Sequence, residues 1–201
     1  MGKKICIWGD SIAYGAGDME LGGWVSRLTT YLRKQDRDHR VYNMSISGDI
    51  SGEVLDRFKA EAEVRNPDII VFAIGINDSQ YLNKEKKVRV SNLDFKNNIK
   101  ELISQAKYFT NKIIFLSCTP VDETKTNPIP WHINRNYNNN RIENNNKIIK
   151  DICKQNNLSY IDIYSEFLKQ KDYKKLLHDG LHPNADGHKL MFEIIKEKLG
   201  L

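Results

Sequence analysis

The sequence predicts an α/β protein, a three-layer α/β/α domain of about five parallel strands with helices on both faces. Three observations carry that expectation. Short apolar runs alternate with segments of helical spacing, and strands that alternate with helices pair in parallel through right-handed crossovers. The run at 69–74, Ile-Ile-Val-Phe-Ala-Ile, is continuously apolar, as suits a strand buried on both faces. The chain has 201 residues, 40% hydrophobic and 28% charged, so one domain spanning 1–201 can bury roughly 70% of its unfolded surface.

Strands are expected at residues 4–8, 41–44, 69–74, 113–117 and 159–163. Between them, Trp24, Leu28 and Leu32 recur every four residues, and Phe95, Ile99, Leu102, Ile103 and Ala106 follow a helical stripe. Ile142, Ile148, Ile149, Ile152 and Cys153 mark another helix, and Leu190, Met191, Ile194, Ile195 and Leu199 the last. The connections at 79–92 and 119–137 exceed the common length of about four to six residues, so they read as functional or mobile loops that set substrate choice. Among 20 asparagines, the triplets at 138–140 and 144–146 read as a solvated helix face.

Charge excludes several classes. With 31 bases and 26 acids the net charge is +5, divided as +2 over residues 1–100 and +3 over 101–201, with no basic arm for nucleic acid. The longest apolar run is far short of the roughly 20 residues of a membrane helix. Lys3 and Lys4 precede only Ile5-Cys6-Ile7-Trp8, too little for a signal-peptide apolar region. Cys6, Cys118 and Cys153 are odd in number and far apart, which suits reduced thiols. A cytoplasmic protein acting on a small molecule is the expectation, with the oligomeric state open.

In an open parallel sheet, ligands bind beyond the carboxyl ends of the strands. Gly9-Asp10-Ser11 follows the first strand, Ser47-Gly48-Asp49 the second, and Gly75-Ile76-Asn77-Asp78 the third. Asp179-Gly180-Leu181-His182-Pro183-Asn184 follows the fifth. Singly, each segment is ordinary turn chemistry. Together they supply a serine nucleophile, an Asp-His pair spaced so that a carboxylate reaches one imidazole nitrogen, and donors for a developing oxyanion: an acyl-transfer site. Asp10 and Asp78 read as loop-holding carboxylates. Trp131, His132, Tyr81 and Leu82 are either pocket lining or ordinary loop residues.

These blocks resemble the SGNH hydrolases, the GDSL-type esterases and lipases, whose marker residues are Ser, Gly, Asn and His. The matches are Ser11, Gly48, Asn77 and His182, in family order across residues 9–188. Ile12 stands where the family name has Leu, and both are apolar. The resemblance implies a flavodoxin-like fold, no cofactor and no metal, and serine-dependent hydrolysis of a small acyl ester. Ser11 would attack, His182 would take its proton and Asp179 would orient His182. The N–H groups of Ser11 and Gly48 and the Asn77 amide would form the oxyanion hole. The same site could serve an acyltransferase or a carbohydrate O-deacetylase, and an inactive acyl- or sugar-binding relative is disfavoured because every marker is intact.

Two further rivals are weaker. His178, His182 and His188 crowd one region, but Gly180 and Pro183 interrupt the helix a metal-binding pair would need. Gly15 and Gly17 form a glycine-rich turn, but Asp18-Met19-Glu20 follows where a dinucleotide fingerprint needs its third glycine.

Overall fold

A computed structural model describes residues 2–199. In chain order its strands are β1 (Lys4–Gly9), β2 (Arg40–Asn43), β3 (Ile69–Ala73), β4 (Tyr81–Leu82), β5 (Lys87–Val88), β6 (Ile113–Leu116), β7 (Arg135–Asn136) and β8 (Ser159–Ile161). The α-helices are α1 (Ser11–Tyr14), α2 (Gly23–Gln35), α3 (Ser51–Arg65), α4 (Asn92–Ala106), α5 (Glu123–Thr126), α6 (Asn139–Gln155), α7 (Ile163–Leu168) and α8 (Ala185–Leu199).

The five expected strands form one parallel sheet in the order β2-β1-β3-β6-β8. Side chains alternate across it. Ile5, Ile7, Ile69, Val71, Ile114 and Leu116 pack with α1, α2, α7 and α8 on one face. Cys6, Trp8, Ile70, Phe72, Ile113 and Phe115 pack with α3, α4 and α6 on the other. Both faces are covered, which is why the strands read as unbroken apolar runs. Counted along the chain the order is 2-1-3-4-5, the flavodoxin-like winding, and its direction reverses between β1 and β3. The crevice at that reversal, beyond the strands' carboxyl ends, is where such sheets hold ligands.

Three features differ from the sequence expectation. Helix α3 has a narrow stripe of Val54, Phe58 and Ala62, each fully buried, on an otherwise polar segment whose periodicity is weak. The two long connections are not irregular: β4 pairs antiparallel with both β5 and β7, so Tyr81 stands opposite Val88 on one side and Asn136 on the other. The loops are thus zipped together. The asparagine-rich start of α6 is only partly a solvated face, since Asn145 and Asn146 are buried. Asn145 Nδ2 donates to the Gly75 carbonyl at 3.0 Å, and Asn146 Oδ1 accepts from the Cys118 N–H at 2.8 Å. Both satisfy backbone groups left over where β3 and β6 end.

An aromatic stack anchors the α3/α4 face. Trp8 lies 4.7 Å from Phe58, Phe58 5.3 Å from Phe72, and Phe72 4.8 Å from Phe115, centroid to centroid. Phe72→Ala should cost about 3–5 kcal/mol, because the close-packed stack cannot collapse onto the void. Urea denaturation measures this, and a loss below about 1 kcal/mol would contradict the packing described.

Candidate active site

Ser11 owes its position to a tight strand-to-helix turn. β1 ends at Gly9, and Asp10 caps α1, its Oδ1 accepting the Ile12 N–H at 2.9 Å. Ser11 is therefore the first residue of α1, where N–H groups lack intrahelical partners. Its Oγ lies 2.9 Å from His182 Nε2, and His182 Nδ1 lies 2.7 Å from Asp179 Oδ2.

The loop bearing the second and third members is built by Asp179 itself. Its Oδ1 accepts the N–H groups of Leu181 at 2.9 Å and His182 at 2.8 Å, an Asx turn that leaves Oδ2 for the imidazole. Burial would raise the Asp179 pKa, but the hydrogen bonds from the His182 ring and backbone outweigh it and hold the carboxyl at about 2. Asp179 is thus ionised and can only accept, so Nδ1 carries a proton, and in the neutral ring Nε2 is left to accept from the Ser11 hydroxyl.

The His182 loop is docked against the residues after α1. Gly17 has a φ of 94°, and a Cβ there would stand 2.2 Å from the Pro183 carbonyl oxygen. Only glycine permits that approach. Buried His188 does not join His178 and His182 around a common point. Its Nδ1 accepts the Trp24 N–H at 3.3 Å, and its Nε2 donates to the Ala16 carbonyl at 3.0 Å. Desolvation lowers its pKa, which keeps the ring in the neutral form this pairing needs. His178 is exposed, with its backbone N–H on the His182 carbonyl at 2.7 Å.

Asn77, after β3, is buried, and its Nδ2 donates to the Asp49 carbonyl at 3.0 Å. Its Oδ1 accepts the Tyr137 hydroxyl at 2.7 Å. Gly48, after β2, has a φ of 90°, yet a Cβ there would meet nothing within 4 Å. Backbone conformation, not space, is what requires glycine at this position. A cleft of about 360 Å³ opens over these groups and is lined by Ser11, Gly48, Asn77 and His182 together with Trp131 and Arg135. Ser11, Gly48, Asn77, Asp179 and His182, chosen from sequence, thus converge on one place.

Of the doubtful loop residues, Trp131 and His132 line the cleft and Tyr81 and Leu82 belong to the small sheet. Trp131 is 53% exposed and stacks on the His182 ring at 6.0 Å between centroids. Asp10 and Asp78 hold loops, as the sequence suggested. Asp78 accepts from the backbone N–H of Ser51 at 3.0 Å and from its hydroxyl, pinning the start of α3. Sequence reasoning missed Gln80 and Tyr137, which also line the cleft, and Arg89, which donates to the Gly48 carbonyl; the pairing of β4 with its neighbours brings them there.

The GDSL-like lipase/acylhydrolase family profile matches residues 7–190. This chain belongs to that family. Its reaction is the hydrolysis of ester bonds. Among GDSL relatives, the chain is 27% identical to a GDSL esterase/lipase of Arabidopsis thaliana over 96% of this chain and 79% of that protein. It is 23% identical to an acetylxylan esterase of Geobacillus stearothermophilus over 99% and 94%. The crystal structure of a lipase/acylhydrolase from Enterococcus faecalis superposes with a TM-score of 0.80 at 22% identity, covering 98% of this chain and 95% of that one. A structure of the Geobacillus acetylxylan esterase Axe2 gives 0.80 at 21%, covering 100% and 96%.

This GDSL-family chain buries two carboxyls that oppose its stability as pH rises. Desolvation raises the Asp10 pKa to about 7 and the Asp78 pKa to about 6. The folded state keeps protons that the unfolded chain has already lost, so stability should fall as pH climbs from the ordinary carboxylate range to about 7. Asp179 acts in the opposite sense below that range, and His188, whose pKa burial lowers, acts in the opposite sense within it and offsets part of the fall. Asp10→Asn should flatten the fall while keeping the cap to Ile12. Denaturation midpoints across this window test it, and an unchanged slope would contradict the burial argument.

Proposed function

We propose that this chain is a serine esterase working through an acyl-enzyme on a small acyl ester, with residues 1–201 serving as one domain. The single observation that carries the reading is the unbroken run of hydrogen bonds from Ser11 Oγ through His182 to Asp179, opening on a cleft lined by Gly48 and Asn77. Ser11 Oγ attacks the acyl carbonyl as His182 Nε2 takes its proton. Asp179 fixes the tautomer and stabilises the imidazolium. The N–H groups of Ser11 and Gly48 and the Asn77 amide stabilise the oxyanion. His182 then gives its proton to the departing alcohol, and a water repeats the sequence to release the acid.

A cleft of about 360 Å³ lies near the lower end of ligand-pocket sizes, which supports a short acyl group. A second reading, carbohydrate O-deacetylation with this same machinery, is favoured by one feature. Trp131 offers a half-exposed aromatic face beside His182, a surface on which a sugar ring can stack. The naming of a full-length relative as an acetylxylan esterase supports it. Three unpaired cysteines, Cys6, Cys118 and Cys153, support a reducing, cytoplasmic setting, and no described helix is long and apolar enough to cross a membrane.

With p-nitrophenyl acetate, Ser11→Ala should lower kcat by on the order of 10⁴ to 10⁶. Asn77→Ala should lower it by about 10² to 10³. Retention of a tenth or more of the turnover in Ser11→Ala would refute the acyl-enzyme scheme.

A further inference from the structure

We propose that Arg89, Gln80 and Tyr137 are positioning residues, forming a chain of hydrogen bonds that fixes the Asn77 carboxamide with its N–H side toward the cleft. The inference rests on the reading of Asn77 as an oxyanion donor and deepens it.

The argument is one of direction. Arginine has donors and no acceptor, so the Arg89 guanidinium, 3.2 Å from Gln80 Oε1, must donate to it. That fixes the Gln80 amide, whose Nε2 end donates to the Tyr137 oxygen. A phenol has one proton, and with its oxygen already accepting from Gln80, Tyr137 donates that proton to Asn77 Oδ1 at 2.7 Å. Asn77 Nδ2 is then turned toward the Asp49 carbonyl at 3.0 Å, a group that can only accept, so both ends of the chain demand the same orientation. One N–H of the amide is used there, and the other is left for the cleft. Burial raises the Tyr137 pKa well above the ordinary tyrosine range, so the phenol keeps its proton.

The same guanidinium donates to the Gly48 carbonyl at 3.1 Å and pairs with Glu53 at 3.5 Å. Arg89 therefore ties the Gly48 loop and the Asn77 amide to one point. Its place is set by the small sheet: the Arg89 N–H bonds the Gln80 carbonyl at 2.7 Å, beside the β4/β5 pair, while Tyr137 directly follows β7. Arg141 of α6 braces the assembly, donating to the Ser79 carbonyl at 2.8 Å and to Asn136. Gln80 and Tyr137 are each 2% exposed, which shields the hydrogen bond between them from water.

Tyr137→Phe keeps the ring and removes the proton. Losing one hydrogen bond of ordinary strength leaves Asn77 Oδ1 with only the long contact from Gln80 Nε2 at 3.5 Å and loosens the amide, so kcat on p-nitrophenyl acetate should fall by about 10-fold with KM held within about twofold. Combined with Asn77→Ala, it should add almost nothing, because it acts only through that amide. Gln80→Glu is the sharper test. A carboxylate would accept from both Arg89 and Tyr137, pulling the phenol proton away from Asn77 and setting an acceptor against Asn77 Oδ1 where an N–H stood at 3.5 Å, so kcat should drop at least as far. This drop should be largely absent in the Asn77→Ala background, which a simple charge effect on the oxyanion would not be. If Asn77→Ala is impaired and Tyr137→Phe and Gln80→Glu keep wild-type kcat, the positioning chain is wrong and the role of Asn77 stands. If Asn77→Ala itself keeps wild-type kcat, the oxyanion reading fails first. Additive losses in the double variants would also overturn the proposal.

Discussion

The hydrogen bond between Ser11 Oγ and His182 Nε2 joins residues 171 positions apart, and much of the surrounding structure keeps those two ends in register. Ser11 hangs from the first strand and His182 from the turn before the last helix, so any slip between α1 and α8 would separate them. Three contacts prevent it. Gly17 lets the Pro183 backbone come close, Arg27 bridges Asp18 at 2.8 Å and the Ala185 carbonyl at 3.1 Å, and His188 spans Ala16 and Trp24. Each of these residues looks idle when the site is drawn as a few side chains. Together they supply the preorganisation that a chain of short hydrogen bonds needs.

A second constraint comes from the buried carboxylates beneath the cleft. Asp10 caps the helix that begins at Ser11, and Asp78 holds the start of α3 beside the Gly48 loop. Both lie in surroundings that penalise charge. The protein accepts that cost where the sheet edge must carry tight turns, and local carboxylate caps order those turns better than apolar side chains could. The zipped loops continue the same logic. They bring Trp131, Arg135 and Tyr137 to the lining of the cleft and at the same time set Arg89 against the Gly48 carbonyl. These loops thereby touch both Asn77 and Gly48, through Tyr137 and Arg89.

The five main strands were legible because a sheet covered on both faces writes itself as apolar runs such as 69–74, and four of the helices because large apolar side chains recur on one face. Ser11, Gly48, Asn77, Asp179 and His182 were legible because each follows a strand or precedes the last helix within a short motif. Helix α3 was not, because its buried residues Val54, Phe58 and Ala62 include only one large side chain and stand among charged neighbours. Asn145 and Asn146 were misread because a triplet of asparagines carries no sign of which members turn inward. That depends on orphan backbone groups at Gly75 and Cys118, far away in the chain. Tyr137, Gln80 and Arg89 escaped for a related reason. Two-residue strands such as β4 and β7 have no periodicity to read, and only their pairing brings the three side chains together.

The most direct test of the central claim is to react the protein with a fluorophosphonate and locate the adduct by mass spectrometry of its peptides. The account predicts one phosphonyl group per chain, on Ser11, formed in step with loss of esterase activity. An adduct on another residue, or full ester turnover with Ser11 unmodified under saturating reagent, would contradict it.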